Sequence, residues 1–226
     1  MRIAVLGTGS VGKTLAARFD QLGHEVMVGT RDPVETRART EPDPMGGPGV
    51  GVWLADHPGI AVTTFAEAAV ASELVVNATN GAVSVSVLES AGAVNLAGKV
   101  IVDVANPLDF SHGMPPSLFV KDTDSLAEQI QRAFPDARVV KTLNTMNADL
   151  MAEPQQLAGG DHSVFVSGDD AAAKQTVTGL LTSMGHTDVI DLGDLSTARG
   201  VEMLLPVWLR LYGALGTPLL QFKIVR

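Results

Sequence analysis

The feature that most constrains this chain is a glycine turn set between a strand and a helix at its start, Ile3-Ala-Val-Leu-Gly-Thr-Gly-Ser-Val-Gly12. Glycines in this spacing occur by chance and mark ordinary turns, so the context carries the argument. Ile3 to Leu6 form a short apolar run, and beyond the turn Val11, Leu15, Ala16, Phe19 and Leu22 recur at helical spacing. Strand, turn and helix therefore follow in the order a dinucleotide site requires. Gly7 permits the tight bend, Gly9 lets the backbone approach a pyrophosphate, and Gly12 lets the helix pack on the strand. Thr8, Ser10 and Val11 complete the turn, whose free N–H groups at the helix start would face the anion.

The end of the second strand, His24-Glu-Val-Met-Val-Gly-Thr-Arg31, chooses the cofactor. NAD proteins usually place a carboxylate there, about 20 residues after the glycines, to hold the ribose 2′-hydroxyl. This chain offers Thr30 and Arg31. A guanidinium pairs with a 2′-phosphate and stacks on adenine, and a Thr hydroxyl donates to the same phosphate, so NADP is expected over NAD. Asp32 is the complication, because a carboxylate one position later could serve a ribose; Arg37 and Arg39 read as phosphate contacts or as solvated loop charges.

Pro33 to Pro58, rich in Pro and Gly, reads as a long surface loop interrupted by Val52-Trp53-Leu54. Trp53 is either the anchor of that loop or a ligand contact. Strands are then expected near 60–63, 74–78, 99–104, 138–143, 163–167 and 188–191, with helices near 65–71, 83–91, 124–134 and 171–184. This alternation predicts an α/β chain: a doubly wound parallel Rossmann sheet with right-handed crossovers, and a small C-terminal α/β extension ending in an apolar helix over 195–215. Ligands of such sheets bind beyond the carboxyl ends of the strands. Ala78, Thr79, Asn80, Ala105, Asn106 and Pro107 fall there and are cofactor candidates, with Asn80 and Asn106 readable as plain turn residues.

The chain has 226 residues, is 46% hydrophobic and contains no cysteine, which excludes disulfides, thiolate metal sites and cysteine nucleophiles. Its five histidines show no ligand spacing, so no metal is expected. A net charge of -9 without a basic cluster argues against nucleic acid. No apolar run is long enough for a bilayer and the first strand begins at the N-terminus, so the expectation is a cytoplasmic protein without a membrane partner. The apolar last helix is buried on its own sheet or against a second subunit, which makes a homodimer plausible.

Taken in order, Gly7-Thr-Gly-Ser-Val-Gly12, Gly23-His-Glu-Val, Gly29-Thr-Arg31, Asp103-Val-Ala-Asn-Pro-Leu-Asp109, Val140-Lys-Thr-Leu-Asn144, Val166-Ser-Gly-Asp-Asp170, Asp191-Leu-Gly-Asp-Leu-Ser196 and Gly200-Val-Glu-Met-Leu-Leu-Pro206 resemble the coenzyme F420-dependent NADP oxidoreductases. The resemblance covers nearly the whole chain. It implies an enzyme that carries a hydride between NADPH and the deazaflavin F420 or a related flavin such as FMN. It also implies that residues 1–144 form the NADP-binding domain and that 145–226 complete the acceptor site. Thr8, Ser10 and Val11 would border the pyrophosphate, Thr30 and Arg31 the 2′-phosphate, and Thr79 and Asn80 the nicotinamide. Lys141, Thr142 and Asn144 would lie at the acceptor, with Lys141 alternatively a salt-bridged strand terminus. Two departures stand out: Asp32 occupies a position where the family often has a second basic residue, and Thr142-Leu143-Asn144-Thr145 lacks the family's frequent His-Thr pair. Hydride transfer needs alignment more than side-chain chemistry, so no obligatory catalytic acid or base is expected. Two other readings stay open, an NADPH-dependent reductase of a small organic substrate and a dinucleotide-binding sensor without turnover.

Overall fold

Alternate residues of the first strand point into different layers, and this divides the molecule. In β1 (Arg2–Leu6), Ile3 and Val5 belong to one buried cluster and Ala4 and Leu6 to another, as the two-residue period of a strand covered on both faces demands. The computed structural model describes residues 1–43 and 46–226. After β1 come α1 (Ser10–Gln21), β2 (Glu25–Thr30), α2 (Pro33–Ala38), α3 (Val50–Asp56), β3 (Ala61–Thr64), α4 (Phe65–Ala71) and β4 (Leu74–Asn77). The middle of the chain holds α5 (Ser84–Ala91), α6 (Ala93–Leu96), β5 (Val100–Asp103), a hairpin of β6 (Leu108–Asp109) and β7 (Ser117–Leu118), and α7 (Leu126–Ala133). It closes with β8 (Arg138–Thr142), α8 (Ala148–Ala152), β9 (Ser163–Ser167), α9 (Ala171–Met184), β10 (Asp188–Asp191), α10 (Ala198–Met203) and α11 (Leu205–Leu215).

The sheet has eight strands in the order β10-β9-β8-β5-β4-β1-β2-β3. Its pairs are parallel except β8–β9. The chain reverses its direction of travel across the sheet between β1 and β4, so a crevice opens between their carboxyl ends. One core layer joins Phe19, Trp53, Val140 and Val177, and the other joins Leu88, Ile101, Leu126 and Ile130. The doubly wound α/β architecture expected from the apolar periodicity is the one observed, and β9-α9-β10 extends the same sheet as a further parallel unit.

Two local expectations are corrected, and one of the two readings of Trp53 is met. The segment from Pro33 to Pro58 is largely helical, carrying α2 and α3; residues 44 and 45 of the expected loop lie outside the described residues. Asp32 caps α2 by accepting from the N–H groups of Val34 and Glu35, and Pro33 opens the helix, a start signal overshadowed by the glycines that follow. Trp53 is buried in the first core layer and stacks on His57 with ring centroids 4.4 Å apart, so it anchors this segment. The apolar stretch 195–215 breaks into a single 3₁₀ turn, α10 and α11, with Pro206 in the first turn of α11. Leu205 and Trp208 are buried there, while Val207, Leu211, Tyr212 and Leu215 remain exposed.

Candidate functional site: a dinucleotide crevice

Parallel registry brings the carboxyl ends of four strands level. Leu6 pairs with Gly29 on one side and Asn77 on the other, and Asn77 in turn pairs with Asp103. The glycine turn follows Leu6. Gly7 has φ +128°, a conformation that favours glycine, and a Cβ there would lie 2.4 Å from the Ala78 carbonyl oxygen. At Gly12 a Cβ would lie 2.2 Å from the Gly7 carbonyl oxygen, whereas at Gly9 it would project into open space. The turn is thus packed shut on the protein side and open on the other, which leaves room for a ligand beside Gly9. No side chain caps the N-terminus of α1, although α4, α7 and α9 each carry one. Unsatisfied N–H groups and the positive end of the helix dipole meet that open space, the arrangement an anion needs.

Thr30 and Arg31 end β2 beside this turn. Thr30 is buried, its hydroxyl 2.7 Å from that of Thr36, while Arg31 is exposed and forms no ion pair among the described residues. The Asp32 carboxylate is held by α2, its Oδ1 accepting from the N–H groups of both Val34 and Glu35. These residues fit NADP: a guanidinium unpaired among the described residues and an open helix terminus are present, and the Asp32 carboxylate is oriented as the cap of α2.

Val11, Ala78, Thr79, Asn80, Ala105 and Asn106 line a small cavity of about 170 Å³ at the switch point. Thr79 is fixed from beneath, its hydroxyl bonding to Asn77 Oδ1 at 2.7 Å and Ser84 Oγ at 2.8 Å. Asn80 caps the short helical turn that follows it. The Asn106 side chain donates from Nδ2 to the Asn144 backbone carbonyl and accepts at Oδ1 from Asn144 Nδ2, both at 3.0 Å. A larger cavity of about 810 Å³ adjoins the first through shared residues Asn80, Gly81, Leu108 and Phe110, and adds Val85, Phe119 and Gln129.

Sequence reasoning missed this larger space, whose exposed Phe110 and Phe119 sit at the ends of the small hairpin. Two exposed aromatic residues just after a strand terminus were the available signal. The expected acceptor contacts lie elsewhere. Lys141 is wholly buried, with its ammonium 2.9 Å from Asp103, 3.0 Å from Glu202 and bonded to the Ala105 carbonyl. Thr142 donates to the Phe165 carbonyl at 2.7 Å, and Asn144 donates to Val201 at 3.1 Å. Of the two readings of Lys141, the geometry presents the ion-paired one. Among the described residues no cluster of acidic or histidine side chains is arranged to hold a metal ion, and no helix is long and apolar enough to cross a membrane.

Residues 2–107 match the family described as NADP oxidoreductase, coenzyme F420-dependent. A solved structure from Arthrobacter sp. FB24, described as a candidate F420-dependent NADP reductase, is 63% identical over the whole of both chains, with a TM-score of 0.95. The chain belongs to the coenzyme F420-dependent NADP oxidoreductases. The F420-dependent NADP reductase of Methanothermobacter marburgensis is 27% identical over 93% of this chain and 92% of its own. Metalloreductase STEAP3 of Rattus norvegicus is 34% identical over 92% of this chain; the match spans 38% of that longer protein. Membership in the F420-dependent NADP oxidoreductases makes this protein an NADP-dependent oxidoreductase and fits the crevice described above.

Proposed function

We propose that this enzyme transfers a hydride between NADPH and a flat redox ring, a deazaflavin of the F420 type or a related flavin, seated in the larger cavity. One observation carries the reading: the switch-point cavity shares a wall with an 810 Å³ space edged by Phe110 and Phe119, so a nicotinamide in the first would lie beside a ring in the second. NADPH, when bound, supplies the hydride; the protein's task is alignment and exclusion of water. In this reading Gly7 to Gly12 hold the pyrophosphate and Thr30 and Arg31 the 2′-phosphate. Ala78, Thr79, Asn80, Ala105, Asn106 and Pro107 flank the ribose and nicotinamide. Thr79 and Asn106 present polar groups already oriented by Asn77, Ser84 and Asn144, so little ordering remains to be done on binding. Lys141 and Asn144 act as positioning residues behind Ala105 and Asn106. Residues 1–144 then form the dinucleotide part, and 145–226 brace its acceptor side through Val201 and Glu202.

The deciding experiment mixes purified protein and NADPH with F420, FMN and FAD in turn and follows each acceptor's absorbance. Reduction of F420 or a flavin is expected; silence toward all three overturns the proposal. A second reading, reduction of a small organic carbonyl or imine, draws on the lining of the large cavity, where Asp109 is the charged side chain and the volume suits a small ligand. It predicts substrate-dependent NADPH oxidation with no deazaflavin present.

A further inference from the structure

A 2′-phosphate carries a charge of about -1.5 to -2 near neutral pH, more than the Arg31 guanidinium alone neutralises. A second guanidinium stands nearby. Arg39 follows α2, and its Nη2 donates to the Thr8 hydroxyl at 3.0 Å and the Thr36 hydroxyl at 3.2 Å. Thr36 contacts Thr30 at 2.7 Å, so one polar chain runs from the glycine turn through Arg39 to the end of β2. The side chain is exposed, and among the described residues no carboxylate pairs with it.

The Arg39 backbone is fixed on both sides: its N–H donates to Thr36 at 3.3 Å and its carbonyl accepts from Gly51 at 2.7 Å. Gly51 allows that approach, because a Cβ there would lie 2.2 Å from the Arg37 carbonyl oxygen. The following segment is tied to α1 by buried Lys13, whose ammonium is 2.8 Å from Asp43 and bonded to the Pro48 carbonyl. An exposed arginine on an otherwise free loop would gain little from such tethering. Here a cation is held in place beside the glycine turn, with no further partner for its fork among the described residues.

We propose that Arg39 is a second 2′-phosphate contact and a determinant of NADP over NAD preference in this chain. The inference rests on the NADP reading of the crevice. The test is calorimetry of the full chain and of its Arg39→Ala and Arg39→Lys variants with NADPH, NADH, adenosine 2′,5′-bisphosphate and adenosine 5′-monophosphate. Arg39→Ala is expected to weaken NADPH and the bisphosphate about ten- to a hundredfold, the scale of one charge-assisted contact, while NADH and the monophosphate stay within about twofold. Arg39→Lys, which keeps the charge but not the fork, is expected to recover part of the loss. Equal weakening of NADPH and NADH would assign Arg39 to the pyrophosphate or to loop structure, and unchanged affinities would make it a bystander; either result overturns the inference and leaves the NADP reading standing. A wild-type protein that binds NADPH and NADH alike overturns both.

Discussion

Lys141 is a cation without access to water, tolerable only because carboxylates surround it. Burial alone would push its pKa down; Asp103 and Glu202 outweigh that and hold it above the ordinary lysine value. The carboxylates are themselves satisfied: Asp103 accepts from Asn77 at 2.8 Å, and Glu202 accepts from the Leu126 and Ala127 N–H groups at the start of α7. Removing the ammonium strands two buried carboxylates, so Lys141→Met is expected to lower unfolding stability by about 3–5 kcal/mol, measured by urea titration. An effect under about 1 kcal/mol, as for an exposed pair, would show that water reaches the site. Arg31 stands at the other extreme, exposed and without an ion pair among the described residues. Arg31→Ala is expected to cost about 1.5–3 kcal/mol of NADPH binding with no loss of NADH binding; an unchanged NADPH/NADH ratio in fluorescence titrations would refute its role.

The C-terminal end of α9 carries a second buried titratable group. Gly185 ends the helix in the left-handed region, and His186 turns inward to donate from Nε2 to the Met151 carbonyl, beside the His162 ring. Burial is the main cause that lowers the His186 pKa from 6.5 to about 4, with His162 adding to it and the Met151 bond opposing it. The unfolded chain therefore binds this proton more tightly than the folded one. Stability from this group is complete above about pH 6.5 and declines as pH falls towards 4, by up to about 3 kcal/mol. Thermal melts across that window should show the decline, and His186→Gln should flatten it; an identical pH profile in the variant would place the effect elsewhere. Elements with a clear period, such as α4, α7 and α9, were legible within a residue or two. α2 and α3 were not, because their six and seven residues lie within a stretch of glycines and prolines that reads as loop, and β6 and β7, with two residues each, are too short to show a period.

At the scale of the molecule, one sheet joins the dinucleotide turn to the last strands, and Lys141 with Glu202 locks α10 behind it. Such continuity predicts a single unfolding transition. NADPH at about a hundred times its Kd should then stabilise the whole chain by roughly 2.7 kcal/mol, raising one melting midpoint detected alike by far-UV dichroism and by the fluorescence of Trp53 and Trp208. Two separate midpoints, only one of them moved by NADPH, would break that prediction. By itself the sequence determined the α/β class, the glycine turn, the NADP-type strand end and the family, because each rests on neighbours in the chain: a period, a turn conformation, a charge beside a strand terminus. Tertiary structure alone decided what Lys141, Trp53 and Asp32 do, which way β9 runs, and that Phe110 and Phe119 edge a cavity. Those outcomes depend on packing and on partners distant in the chain, such as Glu202 for Lys141 and Thr8 for Arg39, and no local pattern encodes the distance between them.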